Sequence, residues 1–578
     1  MAGQDDDNMS FANWVYATFC KTQIAPNNPK TLTEAQRSPK WPRWEKAIQA
    51  ELDQLHKMGT WELVDPPHGW IPVGNKWVLT KKYDKERNLQ KFKARLVAKG
   101  YTQMPGMDYT DTYAPVVQLE TIHTLLALAI SENWEIQQMD VKGAYLNGRI
   151  KEEIHMKQPN GYDDGMDCLC QLIKSLYGLK QAGCEWNIEF NKQLKTHGWN
   201  PSMVDPCAYF QKTEEGIEII VVWVDDLLLF ASNKTLMMKM KSELQSIFEI
   251  TDLGKPTRII GIKIDHNHTK NTITISQKQY LQMILEKEGM ENANPVGMPM
   301  DPGIQLSPSK RESEGSYEEY CSKSFTSLIG SLMFLVVAMQ PDITFTVYRL
   351  GSFMSNPNIS HWTAAKQVLR YLSGTQDYGL TYWTDKPVPG NNHFVGYLDA
   401  SYANNADQTS DSGYVFLMNG AAISWGSKKQ NDVALSLTKS KYIALVEAAR
   451  EVIWLWNLLH GVKYMQPQPT KLYEDNNGLL TIANNPQYHK KTKHFDMRNH
   501  YIRQRVQNGQ VELEYCPTSK MMADILTKAL PKLKHHLHST GLGLSPLWRG
   551  VLSSITSGKE WRQPQCHLGM ISWLEISI

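Results

Sequence analysis

Residues 219–231 read IIVVWV, then Asp225 and Asp226, then LLLFA: two apolar runs interrupted by adjacent carboxylates. Runs this short and this rich in Val, Ile and Leu predict paired buried strands with the acids at the turn. A buried carboxylate without a partner costs several kcal/mol, so each acid needs compensation. A tight, solvated Asp-Asp turn supplies it in one way and a divalent cation in another; the strand pattern fits both. Upstream, the spacing Trp44, Ile48, Leu52, Leu55 predicts an amphipathic helix, and WELV, KWVLTKKY and ARLVAK predict strands. A helical stretch over 117–131 leads into WEIQQMDVKGAYLNG, a strand ending in a turn. Helices then alternate with strands to about residue 298, 301–324 has linker composition, and helical patterns fill 325–373. A new unit begins near Asn391 with the strand HFVGYLDASY and the hairpin GYVFLMNGAAISW, whose Asn419-Gly420 is a strong two-residue turn signal. A helix over 440–460, strand KLYEDN, two further helices, strand QVELEYC and a helix near 519–528 complete an α/β order.

At 578 residues the chain exceeds a single core, and 42% hydrophobic residues with 18 Trp and 25 Tyr supply material for several. A net charge of +2 is silent about polyanions, but its distribution is not. Nine Lys/Arg fall between Lys76 and Lys99 against Asp84 and Glu86, interleaved with Trp77, Tyr83 and Phe92. This ribbon is either a solvated strand edge or a phosphate-contacting surface. The eight cysteines are scattered; Cys168 and Cys170, the one close pair, have a spacing that suits neither a disulfide nor a zinc ribbon. Reduced, intracellular thiols are expected. KLKHHLH at 532–538 lacks the Cys or acidic companions of a metal site. No apolar run reaches membrane-spanning length, so no membrane partner is expected.

A third acid changes the balance at the Asp-Asp turn. Asp140 ends the strand of QQMDVKGAY, and if the two segments pair, three carboxylates meet in one pocket. Such a pocket needs cations, and two Mg²⁺ ions roughly 3.5–4 Å apart would neutralise it, the arrangement that nucleotidyl transfer uses.

Several blocks, in order, resemble the reverse transcriptase of copia-type LTR retrotransposon polyproteins: KARLVAKGYTQMPGMDYTDTYAPVV, QMDVKGAYLNG, SLYGLKQAG, WVDDLLLFA and TDLGKPTRIIGIKI. HWTAAKQVLRYLSGT resembles the family's connecting region, and GYLDASYANN, SGYVFLMNGAAISWGSKKQ and MADILTKAL resemble its RNase H domain. The resemblance spans about residues 41–545. It implies an α/β (α+β) right-hand polymerase of palm, fingers and thumb, then a helical connection and an RNase H-like α/β domain. The boundaries expected are a lead-in over 1–40, fingers and palm over 41–298, linker and connection over 299–390, the RNase H-like domain over 391–545 and an atypical tail over 546–578. By residue, it implies Asp140, Asp225 and Asp226 as ligands of two Mg²⁺ ions, with Mn²⁺ able to substitute. Lys93 and Arg95 fall in the triphosphate-holding segment, Tyr145 matches the aromatic that excludes a 2′-hydroxyl, and Gly178 and Lys180 lie in the template- and nucleotide-facing segment. Asp399, Asp475 and Asp524 match the acids of the RNase H site. The implied partners are an RNA template, a DNA primer, the RNA–DNA hybrid and deoxynucleoside triphosphates, and the implied location is the cytoplasm, in virus-like particles, with the nucleus as a second compartment.

The chain also departs from this pattern. Where the family carries the fourth RNase H acid, SLTKSKY places Lys441, with Lys439 two residues earlier. Replacing −1 by +1 puts an ammonium where a metal belongs; opposite charges about 4 Å apart gain roughly 4 kcal/mol even at an effective dielectric of 20, so Lys441 should pair with Asp399 or Asp475. Glu447 cannot substitute, because six residues along a helix turn it about 120° away and lift it about 9 Å. A folded but inactive RNase H-like domain is expected. Trp223 replaces the usual Tyr before Val-Asp-Asp, the Gly183-Cys184 pair replaces Pro-Arg, and Gln340 replaces an Arg. These changes leave open an alternative: a relic that no longer polymerises and acts at most as a nucleic-acid-binding protein.

Overall fold

The computed structural model describes residues 28–83, 88–307, 317–384, 393–484 and 496–547. Of the lead-in expected over 1–40, residues before 28 lie outside them, and the rest holds a short helix, Leu32–Gln36, that buries Leu32 and Ala35; of the tail expected over 546–578, residues from 548 lie outside them. The expected amphipathic helix is α1 (Trp41–Lys57), with Trp44, Ile48, Leu52 and Leu55 in its buried stripe and Pro42 in its first turn, where a missing N–H costs nothing. It packs on the hairpin of β1 (Asn75–Tyr83) and β2 (Leu89–Ala98). Alternation along β2 buries Phe92, Ala94 and Leu96 and turns Lys93 and Arg95 to the opposite, half-buried face.

Helix α2 (Leu119–Ser131), buried on nearly every side, leads into β3 (Glu135–Val141). With β4 (Asn200–Pro201), β5 (Ala208–Thr213), β6 (Gly216–Trp223), β7 (Asp226–Ala231) and β8 (Ile250–Gly254) it forms a six-stranded antiparallel sheet of order β8-β3-β7-β6-β5-β4. The continuous apolar runs of β6 and β7 follow from burial on both faces. Ile220, Val222, Leu227 and Leu229 pack with Trp186 and Phe190 of α3 (Ala182–Thr196) and Leu236 and Met240 of α4 (Lys234–Ile247). Ile219, Val221, Leu228 and Phe230 face the other way, into the core that contains α2.

Strands β9 (Arg258–Ile259), β10 (Ile262–Asn267), β11 (Thr272–Ser276) and β12 (Tyr378–Trp383) start a second sheet. Helices α5 (Lys278–Lys287), α6 (Tyr317–Ala338), α7 (Thr344–Gly351) and α8 (Ile359–Gly374) stand beside it. The linker reading of 301–324 gives way here, because α6 already begins at Tyr317. The buried run from Phe325 nucleates the helix, and extension toward its N-terminus then adds a hydrogen bond per residue fixed.

In the C-terminal unit β13 (Val395–Ser401), β14 (Asp411–Met418) and β15 (Ala421–Lys429) form an antiparallel meander. Asn419 and Gly420 both take positive φ, 51° and 78°, at the predicted turn. Helix α9 (Leu437–Gly461) crosses the sheet, and β16 (Thr470–Glu474), α10 (Asn477–Asn484), α11 (Asp496–Gln507) and β17 (Val511–Tyr515) follow. The order is β15-β14-β13-β16-β17, with β16 parallel to both neighbours. The helix expected near 519–528 is instead two 3₁₀ turns, Thr518–Lys520 and Met522–Leu526. These tighter turns direct Asp524 inward, where it is fully buried. After α12 (Lys532–Gly541), β18 (Leu544–Pro546) returns to pair with β12, tying the chain's end to the second sheet.

Candidate active sites

Asp226 opens β7 directly opposite Asp140 of β3, and on its other side opposite Trp223 of β6. The turn between β6 and β7 is Val224-Asp225, and Val224 sits at φ 57°, a left-handed conformation that a β-branched residue adopts only under constraint. Two hydrogen bonds supply that constraint: Trp186 Nε1 donates to the Val224 carbonyl at 2.7 Å, and the Val141 amide to the Asp225 carbonyl at 2.8 Å. The three acids share the wall of a cleft of about 970 Å³ whose opposite wall is the β1–β2 hairpin, with Lys82, Lys93 and Arg95; Trp223 and Arg258 line it too.

Charge in this cleft is separated rather than paired. Among the described residues no Lys, Arg or His approaches Asp140, Asp225 or Asp226 within ion-pair distance. Burial, followed by repulsion from Asp225 and Asp140, pushes the Asp226 carboxyl up to about 6, although Gln138 Nε2 donates to it at 3.2 Å. Asp140 is raised by burial and by Asp225, with Lys93 and Arg95 pulling the other way. Lys93 is lowered by burial and by the neighbouring cations Arg95 and Lys82. Hard carboxylate oxygens without a cation partner are the donor set Mg²⁺ prefers. The acids line one wall without caging a point: no three His, Cys, Asp or Glu among the described residues converge tightly enough to form a ready-made metal site.

Tyr145, Gly178 and Lys180 do not line the cleft. The Tyr145 ring meets Tyr177 edge-on at 5.1 Å. Gly178 has φ 91°, and a Cβ there would come 2.2 Å from the Ala98 carbonyl oxygen, so glycine is required where this loop abuts the end of β2. Lys180 is exposed, and its backbone amide donates to Gln103 Oε1 at 2.8 Å. Cys184 and Gln340 are buried, 5% and 3% exposed, so neither presents a polar group to solvent.

The second acid cluster lies at the end of the C-terminal sheet. Asp399 comes from β13, Asp475 directly follows β16, and Asp524 sits in the second 3₁₀ turn. Lys441, in the first turns of α9 and 4% exposed, reaches all but Asp524: it donates to Asp399 and, at 2.6 Å, to Asp475, and stands 3.2 Å from Glu474. Burial opposes its charge, yet Asp399 and Glu474 raise the ammonium above the usual lysine value. Burial likewise opposes the charge on Asp399, but Lys441 and Lys528 hold it well below the ordinary carboxylate range. Lys528 is 2.8 Å from Asp524, and Lys534 also contacts Asp524. Glu447 pairs with Lys428 at 3.6 Å, outside the cluster, as the helical rotation requires.

Sequence reasoning missed Glu474, Lys528, Lys534 and Tyr177. Glu474 had a legible signal: it shares inward parity with Thr470 and Leu472 on β16, and all three are fully buried. Its carboxyl is pushed up to about 8 by burial, against the opposing pull of Lys441. The lysines and Tyr177 carried no such signal, because their contacts are tertiary.

Comparison with known proteins agrees with this layout. Residues 58–302 match the family of reverse transcriptases (RNA-dependent DNA polymerases). The chain is 37% identical over 524 residues to the retrovirus-related Pol polyprotein of transposon TNT 1-94 from Nicotiana tabacum, covering 89% of this chain and 39% of that protein. It is 32% identical over 559 residues to the corresponding protein of transposon RE2 from Arabidopsis thaliana, covering 96% and 37%. The Gag-Pol polyprotein of transposon Ty1-H from Saccharomyces cerevisiae is 28% identical over 531 residues, covering 84% and 28%. The chain thus spans well under half the length of these relatives. Of solved structures, the N-terminal RNase H domain of a Mycobacterium tuberculosis protein aligns with 25% of this chain at 12% identity and a TM-score of 0.18, a superposition too loose to carry an argument. No described helix is long and apolar enough to cross a membrane. Residues 58–302 are thus a reverse transcriptase family domain, in a chain similar over most of its length to part of the Pol polyproteins of plant retrotransposons.

Proposed function

We propose that the cleft between the β1–β2 hairpin and the six-stranded sheet extends a DNA primer on an RNA template from deoxynucleoside triphosphates. In this reading the hairpin belongs to the fingers and the six-stranded sheet is the palm, while the second sheet with α5–α8 forms thumb and connection. The observation that carries it is charge separation: Asp140 and Asp226 side by side without cation partners, facing Lys93 and Arg95 across one cleft. Asp140, Asp225 and Asp226 would hold two divalent cations, Mg²⁺ or Mn²⁺, which when bound supply acidity to a primer 3′-hydroxyl and neutralise phosphate charge. Lys93 and Arg95 bind and orient the triphosphate, the planar guanidinium of Arg95 offering a donor fork that matches phosphate geometry. The constrained Val224-Asp225 turn keeps the acids in register. Primer extension on a DNA-primed RNA template, wild type against Asp225→Asn, tests this in Mg²⁺ and then Mn²⁺. Extension that disappears in the variant supports it; no extension in either metal, with tight salt-sensitive binding of the hybrid, favours the relic reading instead.

The C-terminal unit we read as RNase H-like and inactive, because Lys441 already neutralises the acids that a metal would join. Hybrid degradation by the purified protein that is lost on Asp399→Asn would overturn this. The resemblance also supports assembly in cytoplasmic particles with access to the nucleus, which fractionation of tagged protein would test.

A further inference from the structure

Arg95 is unusual among the cleft's cations. Its Nε is buried without a hydrogen-bond partner, and no carboxylate comes within ion-pair distance of its guanidinium among the described residues, although its charge pulls on the buried Glu51 carboxyl; an aromatic face lies against it, the Tyr177 ring, 4.9 Å from the guanidinium carbon. Tyr177 also meets Tyr145, which packs edge-on to it at 5.1 Å. Tyr177 is itself locked to β2, the strand that carries Arg95, because its carbonyl accepts the Ala98 amide at 2.8 Å. The next residue, Gly178, is the one that allows this approach. One ring therefore touches both Tyr145 and the cation that the proposed function assigns to the triphosphate, and does so without lining the cleft.

We propose that Tyr177 is a positioning residue that aims Arg95 at the incoming nucleotide's phosphates. The physical advantage over an acidic partner is that a π face orients a guanidinium while leaving its N–H donors and its net charge for an anionic ligand. A carboxylate in the same place would neutralise the charge the cleft needs. The ring, not the hydroxyl, does this: the phenol makes no hydrogen bond among the described residues, and burial pushes it up to about 12, so it stays protonated and inert.

This inference rests on the polymerase reading, and its test separates the two. Single-nucleotide incorporation by the full chain is measured for wild type, Tyr177→Phe, Tyr177→Leu, Arg95→Met and the double variant Tyr177→Leu/Arg95→Met. The phenylalanine variant should match wild type. The leucine variant should raise KM for the deoxynucleotide about tenfold with kcat within twofold, from loss of the cation–π contact. In the Arg95→Met background the leucine change should add no further KM effect, because its target is gone. A tyrosine-only requirement, additive effects in the double variant, or a leucine variant that lowers kcat at unchanged KM would overturn the proposal. If wild type does not extend at all, nucleotide affinity is read instead from the stable complex with chain-terminated primer–template. A weaker nucleotide dissociation constant in Tyr177→Leu, but not in Tyr177→Phe, then upholds the positioning role although the polymerase reading has failed. Absence of nucleotide binding by wild type overturns both.

Discussion

Replacing Lys441 with methionine keeps the side chain's length and removes its charge, and the structure dictates the consequence. Lys441 is the cation at the centre of Asp399, Glu474 and Asp475, of which the first two are 2% and 0% exposed. Removing one partner from a buried charge pair costs about 3–5 kcal/mol, since the remaining charge has neither water nor counter-ion. Lys528 persists 3.4 Å from Asp399, which argues for the lower end, about 3 kcal/mol. For a cooperative unit of this size that is a fall in Tm of about 6–12 °C.

The sign of the pH dependence is the sharper test. In wild type the folded Asp399 and Asp475 titrate below their unfolded values. Their stabilisation is therefore present above the unfolded carboxylate pKa near 4 and lost as pH falls through the folded values. Lys441, raised above 10.5, contributes at any pH below that value and ceases to only in strong alkali. Glu474, raised to about 8, has the opposite sign: its contribution fades as pH rises from about 4.5 toward 8. In Lys441→Met all three acids crowd together without their cation, so the folded state binds more protons than the unfolded one, and stability falls as pH rises between about 4 and 8. Thermal melts of the purified chain at pH 5 and pH 8 should show the variant closer to wild type at pH 5. Lys441→Glu extends the logic, because it leaves the acids needing a metal; saturating Mg²⁺ at a hundredfold excess over Kd should return about 2.7 kcal/mol, with no such gain in wild type. A methionine variant as stable as wild type at both pH values would refute the claim that Lys441 carries the charge balance of this cluster.

Further expectations concern the polymerase cleft and the domain junction. Because Asp226 is raised to about 6, the metal-free cleft should lose stability as pH climbs from about 4 toward 6 and level off above, and Mg²⁺ should stabilise the protein at pH 7.5 but much less at pH 5; thermal shift with and without the ion reads both. Val224→Gly relieves a left-handed valine, whose strain of about 1–2 kcal/mol is partly cancelled by glycine's chain entropy, so melting should change little or rise while primer extension falls as the Asp225 turn loosens. Asn419 Nδ2 donates to the Ala127 carbonyl of α2 at 2.6 Å from a turn position at φ 51°, so Asn419→Ala should cost about 2 kcal/mol in a chemical melt and weaken the tie between the two ends of the chain.

What the chain disclosed in advance and what it withheld separate along a physical line. The pattern of short apolar runs is a local statement, and it sufficed to pair the two runs around Asp225 and Asp226; that Asp140 lies beside them, and that Lys93 and Arg95 turn away from Phe92, Ala94 and Leu96, the structure supplies. Distance between elements far apart in sequence is a different quantity, and alternation carries none of it. Tyr177 looked like one more residue of a loop motif until its ring was found between Arg95 and Tyr145; Lys528 and Lys534 looked like solvated charge until 3₁₀ turns replaced the expected helix and delivered Asp524 to them. Glu474 falls between the two cases. Its parity with Thr470 and Leu472 was readable, and a carboxylate at an inward position of a strand ending beside a known acid should itself be counted into the site. The Lys441 substitution makes this concrete: ionised Asp399 and Asp475 with one ammonium sum to −1, a protonated Glu474 leaves that sum unchanged and an ionised one takes it to −2, so its raised carboxyl lets three acids and one ammonium share a water-poor space. A charge balance drawn only from motif residues would therefore have missed the group whose titration sets the cluster's response to pH.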